Sequence, residues 1–583
     1  MMKDDITSPA LIAARAADDQ VLECLKHSQS FLLEAGAGAG KTYSLIEALQ
    51  RLIATQGGAL RRQNQKIACI TYTNVATAVI NSRIDGNSLV LTETIHAFCW
   101  SLIKGFQPFL RTGVAGMEVW QEKLAEAGSI DDRRIDYDLG HRRITDQLVS
   151  IHHDDVLMLM TQLLPVQKFQ TVLAAKYPFI LIDEYQDTNL GIMEAIKTYL
   201  LGRAGGPLIG LFGDHWQRIY DKTCGRVDHV ALKAIGKGSN FRSSTSVVNV
   251  LNAMRPELPQ AIKDETFIGS AAAYHTNSWN GTRRTGAGGG HWKGDLPAEE
   301  AHRYLGSLIS KLKGEGWDFA ADKTKVLMLT HNILASEQGY ASLSAVFPYT
   351  DLFIKKEDDH IAYFVDKLEP ACEAFARRRY GEMFDILGDA APSFTSHGEK
   401  IRWSTAMEEL IALRSTGSVG QIIDHIREKG HPLLPDSVLR REEETRGWKD
   451  EEGKEMPEGI RRCRQLREIA YREVMALDQY IDGHTPFATK HSVKGDEFEN
   501  VLVVVGRGWN RYNFEQFLEW AAAPDRVPAD KKDTFERNRN LFYVCCSRPT
   551  ARLALLFTQL LSNTALQTLG AWFGPDAIHE FTP

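Results

Sequence analysis

The segment FLLEAGAGAGKT, residues 31–42, constrains this chain more than any other stretch. The apolar run Phe31–Leu33 predicts a buried strand, and residues 43–49 have the apolar spacing of a helix. A strand, a glycine-rich loop, Lys-Thr and a helix form a phosphate-binding arrangement, in which backbone N–H groups and the positive end of the helix face the phosphates. A glycine-rich turn with a chance Lys-Thr is the alternative, and the flanking strand and helix disfavour it. The predicted nucleotide-binding loop consists of Ala35, Gly36, Ala37, Gly38, Ala39, Gly40, Lys41 and Thr42.

This interpretation gives particular tasks to the two residues that end the loop. Lys41 is expected to reach the terminal phosphates of ATP, and Thr42 is expected to hold Mg²⁺. The acidic partner of such a loop follows the apolar strand at 179–182, where Asp183 and Glu184 come next. Asp183 would hold Mg²⁺ through water, and Glu184 would orient and deprotonate the attacking water.

Composition limits the class of protein without identifying it. The chain has 583 residues, which predicts three or four domains, and its 43% hydrophobic and 25% charged residues are ordinary for a soluble protein. The formal charge of −7 gives no overall attraction to nucleic acid, although a local basic channel is still compatible with it. The cysteines lack C-x-x-C spacing, so zinc and iron–sulfur sites are not expected. Because the chain has neither a long apolar run nor a signal-peptide core, we expect a cytoplasmic protein.

Two further strands are predicted to end in residues suited to single-stranded DNA. The run at 67–70 leads into Thr71, Tyr72, Thr73 and Asn74, and residues 88–98 repeat the design with Thr94 and His96. Open α/β sheets bind ligands at the carboxyl ends of their strands. An aromatic ring stacks on a base, and hydroxyls and amides hold phosphates. Each of these residues, taken singly, is more often structural than functional.

Together these motifs resemble those of the UvrD/Rep-type superfamily 1 DNA helicases. DEYQDT is close to that family's DExQD signature, and AGAGAGKT, TYTN and TIHAF resemble its earlier motifs in the right order. Later segments also match: LIGLFGDHWQRIY at 208–220, NFRS at 240–243, KVLMLTHN at 325–332, HSVKGDEF at 491–498 and RNLFYVCCSR at 539–548. The resemblance covers roughly 10–105, 170–340 and 485–575.

The resemblance implies an α/β fold class with two RecA-like P-loop motor domains, whose parallel sheets are interrupted by two mainly helical accessory subdomains. The first motor domain would comprise 1–105 and 171–265, and the second would comprise 266–344 and 486–583. Insertions at 106–170 and 345–485 would form the accessory subdomains. We expect the first insertion to be helical, with its basic pairs at 133–134 and 142–143 on solvated faces. The glycine-rich stretch at 281–294 predicts a flexible loop.

The resemblance also implies roles around ATP, which such motors hydrolyse in a cleft between two lobes. Gln217 would sense the γ-phosphate, and Arg242 and Arg548 would act as arginine fingers in cis. Phe241 would stack on adenine, and Glu497 would contact the sugar. Two residues complete the nucleotide-binding set: Gln20, on a predicted helix upstream of the loop, and Tyr43, which stands where many relatives have Arg. For Gln20 a solvent-facing helix position is the stronger alternative.

The expected DNA contacts lie at strand ends of both motor domains. They are Thr71, Tyr72, Thr73, Asn74, Thr94, His96, Tyr220, Thr330, His491 and Ser492. The family usually continues G-W-R-G after the equivalent of Tyr220, and its Trp stacks on a base. Asp221–Cys224 stands there in this chain, so the resemblance does not supply that stacking Trp.

Two functions stay open on the sequence. One is an ATP-driven single-stranded DNA translocase and helicase that moves 3′ to 5′. The other is a nucleotide- and DNA-sensing ATPase that regulates a nuclease partner, because some antiviral systems, such as Gabija, pair a compact helicase of this type with a separate nuclease subunit. The missing Trp favours the second, and the complete ATPase motifs favour the first. A DNA-independent P-loop signalling ATPase is disfavoured by the motifs around Thr71 and Thr94.

Overall fold

The computed structural model describes residues 8–127, 130, 132–137, 142–285, 293–328, 338–349, 351–388, 391–450, 455–481, 487–489, 496–506 and 512–583. The chain divides into two compact units. Unit 1 comprises Met1–Ala273, Arg511–Leu553 and Ser562–Ile578, and unit 2 comprises Tyr274–Asn510, Ala554–Leu561 and His579–Pro583.

Unit 1 is built on a parallel six-stranded sheet. Its strands are β1 (Phe31–Ala35), β2 (Ile67–Thr71), β3 (Val90–Thr94), β7 (Phe179–Asp183), β8 (Leu208–Gly213) and β9 (Lys233–Lys237), in the order β3-β2-β7-β8-β1-β9. Neighbouring strands pair in parallel throughout. Parallel pairing brings every carboxyl end to one edge, so the segments that follow β1, β2, β3, β7 and β8 lie together.

The central strands β1, β2, β7 and β8 are buried on both faces, as their continuous apolar runs predict. Side chains alternate between two hydrophobic clusters: Leu32 joins one cluster, whereas Phe31 and Leu33 join the other. Ile182 and Leu181 separate in the same way. Period-two alternation with apolar residues at every position therefore requires helices on both sides of the sheet.

Helices cover the sheet and its connections in unit 1. Their bounds are Pro9–Lys26, Lys41–Arg62, Asn74–Arg83, Ile95–Ile103, Gln107–Ala115, Gln121–Ala127, His153–Leu163, Gln167–Lys176, Leu190–Tyr199, Thr245–Met254, Phe514–Ala521, Lys532–Cys546 and Asn563–Phe573. Short 3₁₀ turns follow β7 at Tyr185–Asp187 and β8 at His215–Gln217. A two-stranded parallel pair, β10 (Ser239–Asn240) with β11 (Ala261–Ile262), completes the region.

The first insertion is mainly helical, as predicted, and it also contains strands that the sequence did not predict. A small three-stranded sheet, β4 (Arg134–Tyr137), β6 (Leu148–Ile151) and β5 (Arg143–Ile144), lies among its helices. The expectation of solvated helix faces is wrong for Arg142, whose Nη2 and Nε lie 2.7 and 2.9 Å from the buried carboxylate of Asp155. Periodicity missed these strands because they are short.

Unit 2 contains a second six-stranded sheet and a helical insertion. The sheet order is β14-β13-β15-β16-β12-β17, with β13 parallel to both β14 and β15. The strands are β12 (Ser270–His275), β13 (Thr324–Met328), β14 (Phe487–Thr489), β15 (Phe498–Val505), β16 (Pro549–Phe557) and β17 (Ile578–Glu580), and the division between the units falls within β12, β16 and β17. The helices are Ala298–Gly314, Ala341–Val346, Asp351–Ile354, Asp359–Tyr363, Glu369–Ala376, Tyr380–Leu387, His397–Thr416, Val419–Lys429, Asp436–Gly447, Glu458–Glu468 and Tyr471–Ile481.

The predicted fold class is confirmed: the chain is α/β, with RecA-like parallel sheets and helical accessory regions. The exact domain bounds stay predictions. The sequence places 486–583 in the second motor domain, whereas residues 511–553 group with unit 1. Part of the predicted glycine-rich loop, 286–292, lies outside the described residues. Within the described part of the chain, no helix is both long enough and apolar enough to cross a membrane.

Candidate nucleotide site and single-strand interface

The phosphate-binding loop lies where the sequence predicts it, between the end of β1 at Ala35 and the helix that begins at Lys41. Gly38 and Gly40 have φ of 73° and 79°, a left-handed conformation that glycine adopts without strain. A Cβ on Gly38 would lie 2.8 Å from Cβ of Arg242. The loop therefore packs directly against the NFRS segment, and glycine at position 38 permits that approach.

Two amide side chains hold the loop in place. Asn240 Nδ2 donates to the carbonyl oxygen of Ala37 at 3.1 Å, and Gln260 Nε2 donates to the same oxygen at 2.9 Å. Sequence reasoning missed Gln260, because it precedes a two-residue strand and belongs to no motif. Both amides are buried, so each bond fixes the loop against a partner that water does not reach.

Lys41 and Glu184 form the central ion pair of the site. Lys41 Nζ lies 2.9 Å from Glu184 Oε2. Burial lowers the pKa of Lys41, but the negative charges of Glu184 and Asp214 outweigh it and raise this pKa above its usual value. Glu184 itself has φ 48° and ψ 47°, an uncommon conformation for a residue with a side chain. Such backbone strain is found preferentially at functional sites.

Asp183 ends β7 beside this pair, and its carboxylate is buried. Burial, followed by the charge of Glu184, raises the pKa of Asp183 to about 7. Neighbouring groups only partly offset the negative charge of the buried Asp183 carboxylate, and a bound cation would favour its charged form. Together with the hydroxyl of Thr42 at the start of the helix, Asp183 offers the oxygen ligands that Mg²⁺ prefers.

Gln217, Arg242 and Arg548 lie close together in unit 1. Arg548 Nη2 donates to Gln217 Oε1 at 3.2 Å, and Arg242 Nη1 donates to the carbonyl oxygen of Ser547 at 3.3 Å. Arg548 is only 1% exposed. Burial, followed by the nearby charge of Arg242, lowers the pKa of Arg548 to about 10. Two guanidinium groups are therefore held near each other, an arrangement that an anion between them would stabilise.

The residues predicted to contact the base and sugar of the nucleotide differ in their surroundings. Phe241 and Tyr43 flank the loop: a Cβ on Gly40 would lie 3.8 Å from the ring of Phe241 and 3.9 Å from Cβ of Tyr43. Gln20 is exposed, and its Nε2 donates to the carbonyl oxygen of Ala16. Glu497 falls in unit 2 and is exposed.

A buried polar triad beneath the start of the loop helix was not predicted. Lys237 Nζ lies 3.0 Å from both carboxylate oxygens of Asp18 and donates to Ser44 Oγ at 2.6 Å. Ser44 Oγ in turn donates to Asp18 at 2.6 Å. The triad ties the first helix, the loop helix and β9 together. Each residue type is ordinary at its position, so the sequence carried no signal for it.

An aromatic stack joins two of the predicted DNA contacts. The rings of Tyr72 and Tyr220 lie 5.3 Å apart between centroids, with an interplanar angle of 26°. Tyr72 is 40% exposed, and Tyr220 is partly buried. Thr73 and Asn74, which follow Tyr72, are also exposed. Residues separated by about 150 positions thus form one aromatic surface bordered by polar groups, a combination that suits single-stranded nucleic acid.

The prediction for Thr71 needs correction. Its side chain is only 2% exposed, and its hydroxyl bonds to the Thr77 hydroxyl at 2.8 Å and to the carbonyl oxygen of Thr73 at 3.1 Å. Thr71 therefore holds the end of β2 in place, and its side chain is not exposed to contact single-stranded DNA. The hydroxyl of Thr94 caps the helix at Ile95–Ile103, which it precedes.

The remaining predicted DNA contacts divide into described and undescribed residues. His96 is partly buried, and its ring packs edge-to-face against His153 at 5.1 Å. Burial lowers the pKa of His96, so its ring favours the neutral form. Thr330, His491 and Ser492 lie outside the described residues.

Comparison with known proteins gives one family match and several similar proteins. The AAA domain family model matches residues 19–223. The chain is 25% identical to Gabija protein GajB of Bacillus cereus (strain HuB5-5), over 92% of this chain and 94% of that protein. It is 26% identical to ATP-dependent DNA helicase Rep of Escherichia coli (strain K12), over 40% of this chain and 42% of Rep. Rep of Buchnera aphidicola subsp. Baizongia pistaciae (strain Bp) is also 26% identical, over 38% of this chain and 40% of that protein.

The resemblance to UvrD/Rep-type superfamily 1 helicases is therefore confirmed, and similarity to a Gabija protein extends along nearly the whole chain. The chain is therefore similar to UvrD/Rep-type helicases, and these matches support an ATP-dependent, helicase-type function.

Proposed function

We propose that this protein is an ATP-driven translocase that moves 3′ to 5′ along single-stranded DNA and unwinds duplex ahead of it. The observation that carries the proposal is the grouping of Lys41, Glu184, Gln217 and Arg548 around one phosphate loop. These residues supply a phosphate contact, a general base, a sensor and a transition-state cation. They are the parts that phosphoryl transfer to water needs.

Nucleotide binding would rearrange the ion pair between Lys41 and Glu184. Lys41 Nζ lies 2.9 Å from Glu184 Oε2, so the two groups compensate each other's charge. The terminal phosphates carry more negative charge than one carboxylate, so they would draw Lys41 away from Glu184. The freed carboxylate would then accept a proton from the attacking water. This exchange would free the base as ATP binds.

The two arginines would act on the charge that develops at the γ-phosphate. Arg548 is held by Gln217, and Arg242 lies against the segment that carries Arg548. We propose that both guanidinium groups stabilise the transition state, as arginine fingers in cis do. Thr42 and Asp183 would hold Mg²⁺, which supplies positive charge to the phosphates.

Single-stranded DNA would bind at the carboxyl edge of the first sheet. Tyr72, stacked on Tyr220, would offer its ring to a base, and the exposed Thr73 and Asn74 would contact the backbone. Stacking accepts every base, so binding should depend little on sequence. The 3′-to-5′ direction rests on the resemblance to Rep-type helicases.

A second function is favoured by two particular observations. Asp221–Cys224 replaces the segment in which related helicases carry a stacking Trp, and the similarity to Gabija protein GajB covers 92% of this chain. In this alternative the chain is a nucleotide- and DNA-sensing ATPase subunit of an antiviral complex with a separate nuclease. It would then hydrolyse ATP on DNA but scarcely unwind.

ATP hydrolysis measured with and without DNA tests the proposal. We expect the rate to rise on adding single-stranded DNA and to rise little with blunt duplex, because only unpaired bases reach Tyr72. Equal stimulation by both DNAs would contradict the proposed interface. A chain that does not hydrolyse ATP under any of these conditions would contradict the proposed function as a whole.

A further inference from the structure

Arg255 is the most completely buried arginine near the nucleotide site to which no role has been given. It caps the carboxyl end of the helix Thr245–Met254, which follows the segment that carries Arg242, and it is 2% exposed. Its Nη1 lies 2.7 Å from Asp214 Oδ1, and its Nη2 lies 2.9 Å from Glu34 Oε1. One guanidinium therefore joins two carboxylates from two neighbouring strand ends.

The Asp214 carboxylate connects Arg255 to Gln217, the proposed γ-phosphate sensor. Asp214 is completely buried, and its Oδ2 accepts a hydrogen bond from Gln217 Nε2 at 2.8 Å. Gln217 Oε1 then accepts from Arg548 Nη2 at 3.2 Å. Arg255, Asp214, Gln217 and Arg548 thus form a continuous chain of short polar contacts. The amide of Gln217 has both of its ends occupied, which fixes its orientation.

The other partner of Arg255 stands at the entrance to the phosphate loop. Glu34 directly precedes Ala35, and its carboxylate also bonds to the Tyr185 hydroxyl at 2.7 Å and to His215 Nδ1 at 2.6 Å. Tyr185 follows Glu184 in the chain. The same carboxylate therefore connects the loop, the segment of the proposed base and the segment of the sensor.

The indole of Trp216 adds a packing contact to this network. The guanidinium of Arg255 lies 5.2 Å from the Trp216 ring centroid, and that of Arg539 lies 4.2 Å from it. Arg539 belongs to the RNLFYVCCSR segment that ends at Arg548. Cation–π contacts of this kind hold a planar guanidinium against an aromatic face.

We propose that Arg255 is a positioning residue for ATP hydrolysis. Through its ion pairs with Asp214 and Glu34, Arg255 holds Gln217 and Arg548 in position relative to the phosphate loop. The inference rests on the proposed ATPase function and adds to it a residue outside every motif. Arg255 reaches Gln217 only through Asp214, so it acts through the sensor and contacts no phosphate itself. Preorganised groups of this kind raise the catalytic rate more than they raise substrate affinity.

The test compares Arg255→Gln and Arg255→Lys with the parent chain. Arg255→Gln keeps a planar polar end but leaves a buried carboxylate uncompensated, whereas Arg255→Lys keeps the charge but cannot bridge two carboxylates with a planar fork. We expect kcat to fall by on the order of 100-fold in Arg255→Gln and by less in Arg255→Lys, with little change in KM, because a small misplacement of reacting groups costs about that much.

The matched control is Arg414→Gln, which removes another buried arginine from its ion pair with Glu369 in unit 2. This variant should lose stability to heat but keep its kcat when assayed while folded. If Arg255→Gln does not fold, Arg255→Lys decides the test, because its retained charge still compensates one carboxylate.

Two measurements separate positioning from a merely structural role. Affinity for ADP with aluminium fluoride, which mimics the transferring phosphoryl group, should fall in the Arg255 variants while affinity for ADP alone is unchanged. In a double-mutant cycle with Gln217→Ala, the double variant should be no slower than Gln217→Ala alone. The inference would be overturned if the two substitutions lowered kcat multiplicatively in the double variant. It would also be overturned if a folded Arg255→Gln variant kept the kcat of the parent chain. A parent chain without ATPase activity would instead overturn the proposed function.

Discussion

Replacing Tyr72 with Ala tests the single-strand interface at its most exposed aromatic residue. Tyr72 is 40% exposed and stacks on Tyr220, which is partly buried. Tyr72 is therefore the ring of this pair that a base can reach. Stacking of a base on an aromatic side chain contributes about 1–3 kcal/mol. At 1.4 kcal/mol for each factor of ten, Tyr72→Ala should weaken binding by about 5- to 150-fold.

The structure also predicts what Tyr72→Ala leaves unchanged. Phosphate contacts, not stacking, determine how steeply DNA affinity falls with salt. We therefore expect parallel plots of affinity against salt for Tyr72→Ala and the parent chain, displaced by a constant factor. Tyr72→Phe should bind like the parent, because the ring and not the hydroxyl meets the base. The aromatic pair contributes about 0.5–1.5 kcal/mol, so the variant should remain folded.

Fluorescence anisotropy with labelled oligothymidine at several salt concentrations measures these effects. The control is Tyr349→Ala, because Tyr349 is a 72% exposed tyrosine of unit 2 with no proposed role in DNA binding. Parent-like binding by Tyr72→Ala would refute the stacking role. Equal losses in Tyr72→Phe and Tyr72→Ala would refute the reasoning differently, since they would assign the effect to the hydroxyl.

Further substitutions test the nucleotide site. Lys41→Ala should lose ATP binding, measured by equilibrium titration with a fluorescent ATP analogue, because the terminal phosphates are left uncompensated; tight binding by this variant would contradict the loop assignment. Glu184→Gln should bind ATP and DNA but hydrolyse ATP about 10²–10⁴-fold more slowly, and parent-like turnover would remove Glu184 as the base. Arg242→Ala and Arg548→Ala should each lower kcat by about 10³–10⁵-fold with a smaller effect on ATP affinity; loss of affinity with kcat preserved would exclude a finger role.

The positions of the candidate nucleotide-site residues were largely predictable because the motifs that carry them are local. The loop at 35–42 and the pair Asp183–Glu184 each follow an apolar run directly, and the run predicts the strand that carries them. Parallel pairing then brings the two strand ends to the same edge without any further information. Motif order supplied Gln217, Arg242 and Arg548, which the structure places together.

What the sequence did not predict depends on contacts between distant residues of ordinary type. Gln260 bonds to the loop and Arg255 pairs with Asp214, yet neither residue lies in a pattern with a recognisable period. Burial also changes what a residue can contact. Thr71 resembles a DNA contact in residue type and position, but its buried hydroxyl forms a hydrogen bond with the Thr77 hydroxyl. The strand β5 has two residues, too few for an alternating pattern to be detected.

Stopped-flow translocation tests the central claim most directly. The parent chain, bound to single strands labelled at either the 3′ or the 5′ end, is mixed with ATP and a trap for free protein. We predict a length-dependent lag in arrival at the 5′ label and a prompt departure from the 3′ label, both abolished in Glu184→Gln. The opposite polarity would contradict the 3′-to-5′ assignment, and DNA-stimulated ATP hydrolysis without any movement would contradict translocation and favour the regulatory function.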